Sequence, residues 1–258
     1  MSNNPQSFST FLVLNSPRRT FASQTTHDIS IVIHYVIPSF DTDISNKKRF
    51  LRADDFHHGL QELDKEMGHD EFLVGFAPIE IITAGGFLAV CYLKNRESTG
   101  DLDYIIDPEW ATDADIQVPL EKAVLAVAEK CGFNNDWMNQ EMGLFTTKAT
   151  DKRLFEQAKK EDLVLFRGEH IIVYAAPIEW GLERKLRRIY VGGRERKTEF
   201  DMSDAVAMLK YLKDTKGPLD REYIRTLKMN GFDVVPDDNA MNRVAAEFQR
   251  VYGEEAFA

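Results

Sequence analysis

Cysteine is almost missing from this chain. Cys91 and Cys131 are the only two, and both fall at apolar helical positions. That placement reads as buried thiols rather than a disulfide or a metal pair, and fits a reducing compartment. Histidine is scarce as well: the six present show no metal-ligand spacing, and the adjacent His57 and His58 would be splayed apart by a helix. No apolar run approaches the roughly 20 residues of a membrane span. A basic excess is also lacking, since Lys and Arg number 32 against 42 Asp and Glu, a formal net charge of −10. Broad, sequence-independent DNA binding depends on many cationic phosphate contacts and is disfavoured by this balance. The first 27 residues contain no acid but several Ser and Thr and the pair Arg18-Arg19. This composition loosely fits a transit peptide, whereas a polar arm leading into a strand at Ile29–Val36 is the simpler reading. The chain is therefore expected in the cytoplasm, with a mitochondrial location as the alternative.

What is present is enough apolar material for a core: 43% of residues are hydrophobic and 11% aromatic, which marks a globular protein. Periodicity predicts an α/β (α+β) chain in three parts: an N-terminal arm and strand over 1–52, a mixed core over 53–176 and a helical subdomain over 177–258. Asp54 or Asp55 is expected to cap a helix running to Met67, and Gly68-His69-Asp70 to break it. A strand lies within Phe72–Thr83, interrupted or started late by Pro78. A helix from Phe87 to about Lys94 follows, then a strand over Gly100–Asp107. Leu120, Val124, Val127 and Cys131 mark one face of the next helix, which Gly132 ends. A short helix at Lys152–Lys160 precedes a hairpin of Leu163–Phe166 and Ile171–Ala175. Beyond Pro177 helices are expected to Tyr190, over Asp201–Lys213 and over Leu219–Met229, and a last one carries the stripe Met241, Val244, Ala245, Phe248, Val251 and Tyr252.

The chemistry concentrates between Ile79 and Asp107. Asp101 and Asp103 are two residues apart on a strand and project to the same side. Two carboxylates that close resist joint ionisation unless a cation sits between them. Mg²⁺ suits that need, because it takes one or two carboxylates and completes its octahedron with water and phosphate oxygens. Gly85-Gly86 follows a strand and opens a helix, where backbone N–H groups favour an anionic phosphate. The same glycines also serve a turn that needs positive φ. Ser98 and Thr99, just ahead of the acids, suit either a phosphate contact or the shaping of the loop, and Arg96 either a phosphate clamp or a surface pair.

The run Ala84-Gly85-Gly86-Phe87-Leu88-Ala89, followed by Arg96-Glu97-Ser98-Thr99-Gly100-Asp101-Leu102-Asp103, resembles the nucleotidyltransferase superfamily, the polymerase-β-like fold. It is similar above all to the minimal members, including nucleotidyltransferase-like toxins of toxin–antitoxin modules. The resemblance covers about the middle half of the chain. It implies Mg²⁺ held by Asp101 and Asp103, and a nucleoside triphosphate whose phosphates meet Gly85, Gly86, Arg96, Ser98 and Thr99. Polymerase-like members place a further carboxylate on a later core strand. Here that strand is Ile171–Ala175, which has none, although Glu169 lies at its turn end. The minimal members carry a Lys on a helix beyond the core and an Asp further on. Lys185 and Asp204, with Asp201 beside it, look like these residues; an N-cap role at Asp201 is the plainer alternative.

The function implied is transfer of a nucleoside monophosphate from a nucleoside triphosphate to a hydroxyl acceptor on a protein, a small molecule or RNA. The alternative is a non-catalytic nucleotide-binding or interaction module on the same fold, or a regulatory partner whose Met241–Tyr252 stripe docks another chain. Arg184, Lys185, Arg187, Arg188, Arg194, Arg196 and Lys197 form the one dense basic cluster of an acidic chain. It reads as a solvated face or as a surface for a polyanion. Asp136-Trp137-Met138-Asn139 reads as a turn with a buried Trp.

Overall fold

A computed structural model describes residues 48–192, 195–231 and 234–258, with the side chains of Phe145 and of residues 195–198 left out. The expected arm and the strand Ile29–Val36 lie outside these residues, as do the side chains of Arg194, Arg196 and Lys197. The described residues all fall within one compact unit, Asn46–Ala258.

The sheet grows from two short strands, β1 (Ile79–Thr83) and β2 (Leu102–Ile106), paired antiparallel with Thr83 opposite Tyr104. Strand β3 (Met138–Asn139) adds in parallel outside β2. On the other side β5 (Ile171–Ala175) runs parallel to β1 and carries β4 (Val164–Arg167) as an antiparallel hairpin. The order is β3-β2-β1-β5-β4, a five-stranded mixed open sheet. Strand β1 starts late, as expected at Pro78. Ahead of it lies a helical turn, α2 (Glu71–Gly75), whose first amides are capped by Asp70.

Alternation along the strands sorts the side chains onto two faces. Ile79, Ile81, Leu102, Tyr104, Ile106, Ile171 and Val173 are buried in one core cluster. This cluster also takes in residues of α1 (Ala53–Met67), α3 (Gly86–Cys91) and α4 (Ala114–Cys131). In α1 Asp55 accepts from the Arg52 amide at 2.9 Å, and α4 ends at Gly132 with φ +64°, as its sequence requires. Ile82, Ile105, Ile172 and Tyr174 face the opposite way, toward Leu154 and Phe155 of α5 (Lys148–Glu161) and Trp180. Asp101 and Asp103 share the parity of Ile105, so they belong to this second face.

A layer of α6 (Ile178–Val191), α7 (Glu195–Lys216), α8 (Arg221–Arg225) and α9 (Asp238–Tyr252) has its own core, into which Leu88 and Ala175 project from the sheet layer. Most of the stripe on α9 is spent inside the chain: Met241, Val244 and Phe248 are fully buried, with Ala245 and Tyr252 packed against the same core, while Val251 is exposed. Helix α7 begins at Glu195 rather than at Asp201. Asp201 is therefore interior to a helix and caps nothing. Helix α3 stops at Cys91, three residues short of expectation, and Lys94 beyond it takes a left-handed backbone. No helix among the described residues is long and apolar enough to cross a membrane.

Candidate active site

The carboxyl end of β1 and the amino end of β2 meet at one end of the sheet, and a cleft of about 270 Å³ opens there. Its lining includes Gly85, Gly86, Arg96, Thr99, Asp101, Asp103, Glu141, Arg184, Lys185 and Arg188. Seven of the sequence-predicted site residues are thus brought together: Gly85, Gly86, Arg96, Thr99, Asp101, Asp103 and Lys185. Ser98 is not among the lining residues, and Asp204 lies behind them.

The turn is built by two glycines with different needs. Gly85 has φ +70°, a conformation that L side chains rarely adopt. Gly86 is required by packing, since a Cβ there would lie 2.1 Å from Thr99 Oγ1. Thr99 is pinned from the other side by backbone hydrogen bonds with Leu51 in both directions, of 2.7 and 3.0 Å. The Thr83 hydroxyl donates to the Asp103 carbonyl at 2.7 Å and ties the ends of the two strands.

One wall is anionic. Asp103 is half-buried, and its pKa is pushed up to about 6 by burial and by the neighbouring charges of Asp101 and Glu141, against a hydrogen bond from Asn139. Glu141 comes from a short 3₁₀ stretch, Glu141–Phe145, after β3. Its position was not legible in advance, because five irregular residues carry no periodicity to say which way they face. Glu169, by contrast, precedes the start of β5, which pairs in parallel with the start of β1, so it stands at the opposite end of the sheet from the acids. Its backbone N–H donates to Asp64 there. Asp101 is paired with Lys48 Nζ at 2.7 Å, which also reaches Asp136 at 2.7 Å. Trp137 is buried as expected, with its indole N–H donating to the Val124 carbonyl.

The other wall is cationic and comes mainly from one face of α6. Trp180, Gly181, Arg184, Lys185 and Arg188 recur at helical spacing along the cleft. Arg187 leaves that face and pairs with the buried Glu183. Arg184 lies over the Trp180 ring at 4.8 Å. Burial and the nearby Arg188 hold its pKa below the ordinary value, while Asp103 across the cleft pulls the other way. Lys185 is buried and paired with Asp204, and with Asp201 at 3.1 Å. Burial drives its pKa down against the attraction of Asp204. Arg188 grips Asp201 through two nitrogens at 2.8 Å each. Asp204 is fully buried and accepts from Arg96 Nε at 2.7 Å and Asn95 Nδ2 at 2.9 Å. It positions Arg96 and Lys185 from behind rather than facing the cleft itself.

Asp101 and Asp103 line the cleft as a pair, and burial together with the charges of Asp101 and Glu141 disfavours ionisation of Asp103, a penalty that a divalent cation between the pair would relieve. Among the described residues no group of three or more His, Cys, Asp or Glu side chains is placed to hold a metal ion. A cation here would take two carboxylates and draw its remaining ligands from water or substrate, as Mg²⁺ commonly does. Comparison of the chain with protein-family models, with curated proteins and with solved structures returns no match.

Proposed function

We propose that this cleft binds a nucleoside triphosphate with Mg²⁺ and transfers its nucleoside monophosphate to a hydroxyl acceptor. The observation that carries the reading is the opposition of charge across one cleft. Asp101, Asp103 and Glu141 stand on one side, and Arg96, Arg184, Lys185 and Arg188 on the other. A phosphate chain needs cations along its oxygens, and a divalent cation bridging those oxygens needs carboxylates. Asp101 and Asp103 would hold Mg²⁺, which when bound would neutralise charge developing on the transferred phosphate. The backbone of Gly85-Gly86 would let a phosphate approach where a side chain would block it. Arg184 and Arg188 would contact the phosphates directly, with Lys185 behind them. In the transfer, the acceptor oxygen forms a bond to the α-phosphorus as the bond to the β-phosphate bridging oxygen breaks. Pyrophosphate leaves with that electron pair, and Glu141 would take the acceptor's proton.

The test is incubation of the purified chain with Mg²⁺ and each α-labelled nucleoside triphosphate, following pyrophosphate release and label transfer to protein, to small hydroxyl compounds and to RNA. Loss of both signals in Asp101→Asn/Asp103→Asn, with the fold retained, is expected. Transfer that persists in a pure double variant would overturn the assignment. Nucleotide binding with no pyrophosphate release would favour the non-catalytic alternative, a reading motivated by the ion pair that already occupies Asp101.

A further inference from the structure

Lys48 is a cation bonded to one of the two carboxylates that the proposed function assigns to a metal. It reaches the site from the segment ahead of α1, and its placement is built into the fold. Its side chain lies along Gly100, where a Cβ would stand 2.9 Å from Lys48 Cε. Its ammonium lies 2.7 Å from both Asp101 Oδ2 and Asp136 Oδ2. Asp136 precedes the buried Trp137, which anchors the backbone of that segment, and its own carboxylate stands more exposed than that of Asp101.

We propose that Lys48 is a built-in counter-ion that competes with a divalent cation for Asp101 and is retained on Asp136 when Asp101 turns to the metal. This rests on the reading of Asp101 and Asp103 as metal-binding carboxylates. The energetic logic is competition of two cations for one carboxylate. With no divalent cation bound, Lys48 stabilises an Asp101 that would otherwise face Asp103 and Glu141 unpaired. With one bound, the ammonium would be repelled by a +2 charge only a few ångströms away, and Asp136 supplies the alternative partner. Lys48 thereby lowers the affinity for metal alone, so that firm occupancy requires the phosphates of a bound nucleotide as well.

The experiment uses Mn²⁺ alone as the probe, with affinity read from its paramagnetic resonance signal, so that no turnover is needed. Lys48→Met is expected to tighten Mn²⁺ binding by on the order of tenfold, the effect of removing one positive charge close to a divalent ion. Lys48→Arg keeps the charge and is expected to stay near the parent value, which separates charge from packing. Asp136→Asn is expected to weaken binding in the parent, because Lys48 then has Asp101 as its sole partner. That weakening should largely vanish when Asp136→Asn is combined with Lys48→Met, since the two residues act through one another. Unchanged or weaker binding in Lys48→Met, or an equal effect of Asp136→Asn in both backgrounds, would overturn the role of Lys48 while leaving the metal assignment standing. No Mn²⁺ binding by Lys48→Met, or binding indifferent to Asp103→Asn in that background, would overturn both.

Discussion

At the scale of single residues, the site stores an unfavourable interaction at Asp103. Its pKa is about 6 in the folded chain against an ordinary 3.8, so the folded state binds a proton there that the unfolded state has already lost. The sign follows: between about pH 4 and pH 7 this residue makes stability fall as pH rises, because the folded state holds more protons than the unfolded. Asp103→Asn, without divalent metal, should raise the melting temperature at pH 7.5 and leave it unchanged near pH 4. A melting temperature that does not rise at pH 7.5 would contradict the electrostatic account. Gly86 tests packing instead of charge. Gly86→Ala must displace Thr99 and is expected to cost about 1–3 kcal/mol in urea unfolding. Thr99→Ala removes the hydroxyl that the new Cβ would meet at 2.1 Å, so the double variant should recover part of the loss. Strictly additive losses would count against the contact.

At the scale of elements, Asp204 on α7 fastens two others: the Arg96 segment after α3, and α6 through Lys185. Removing it takes the carboxylate from Arg96 and leaves Lys185 with Asp201 alone, and breaking a buried pair in this way costs about 3–5 kcal/mol. Asp204→Ala should therefore lower stability on that scale and loosen the cationic wall; a loss below about 1 kcal/mol in denaturant unfolding would contradict this. Phe248→Ala on α9 should cost about 3–5 kcal/mol for a different reason, a cavity in a fully buried position. Retained stability would mean that α9 does not close the helical core. Much of this was legible in the chain itself. The β1–Gly85-Gly86–α3–β2 unit is local, with its strands, turn and acids written within about thirty residues of sequence. Helical spacing placed Arg184 and Arg188 on a common face, but spacing cannot say what a face looks at, and both lay open to reading as solvated. The start of α7 was misplaced because Asp201 has the look of a cap, whereas partners on α6 draw it into the buried network. Lys48 and Glu141 come from irregular segments, where no period announces a direction.

At the scale of the whole molecule, the two layers have separate tasks. The sheet layer supplies the anionic wall through β2 and the 3₁₀ stretch, and the helical layer supplies most of the cationic wall through α6. They are joined at the cleft by Arg96, held by Asp204, and by Leu88 and Ala175 entering the helical core. The net charge of −10 leaves this cationic wall as a local feature of an acidic protein, suited to a compact polyanion such as a triphosphate more than to a long one. The measurement that tests this account most directly is calorimetric titration of the full chain with non-hydrolysable nucleoside triphosphate analogues, with and without Mg²⁺. The account predicts saturable binding that depends on Mg²⁺, loses that dependence in Asp101→Asn/Asp103→Asn and weakens at least tenfold in Arg184→Ala/Arg188→Ala. No binding by the parent, or binding indifferent to Mg²⁺ and to both pairs of substitutions, would contradict it.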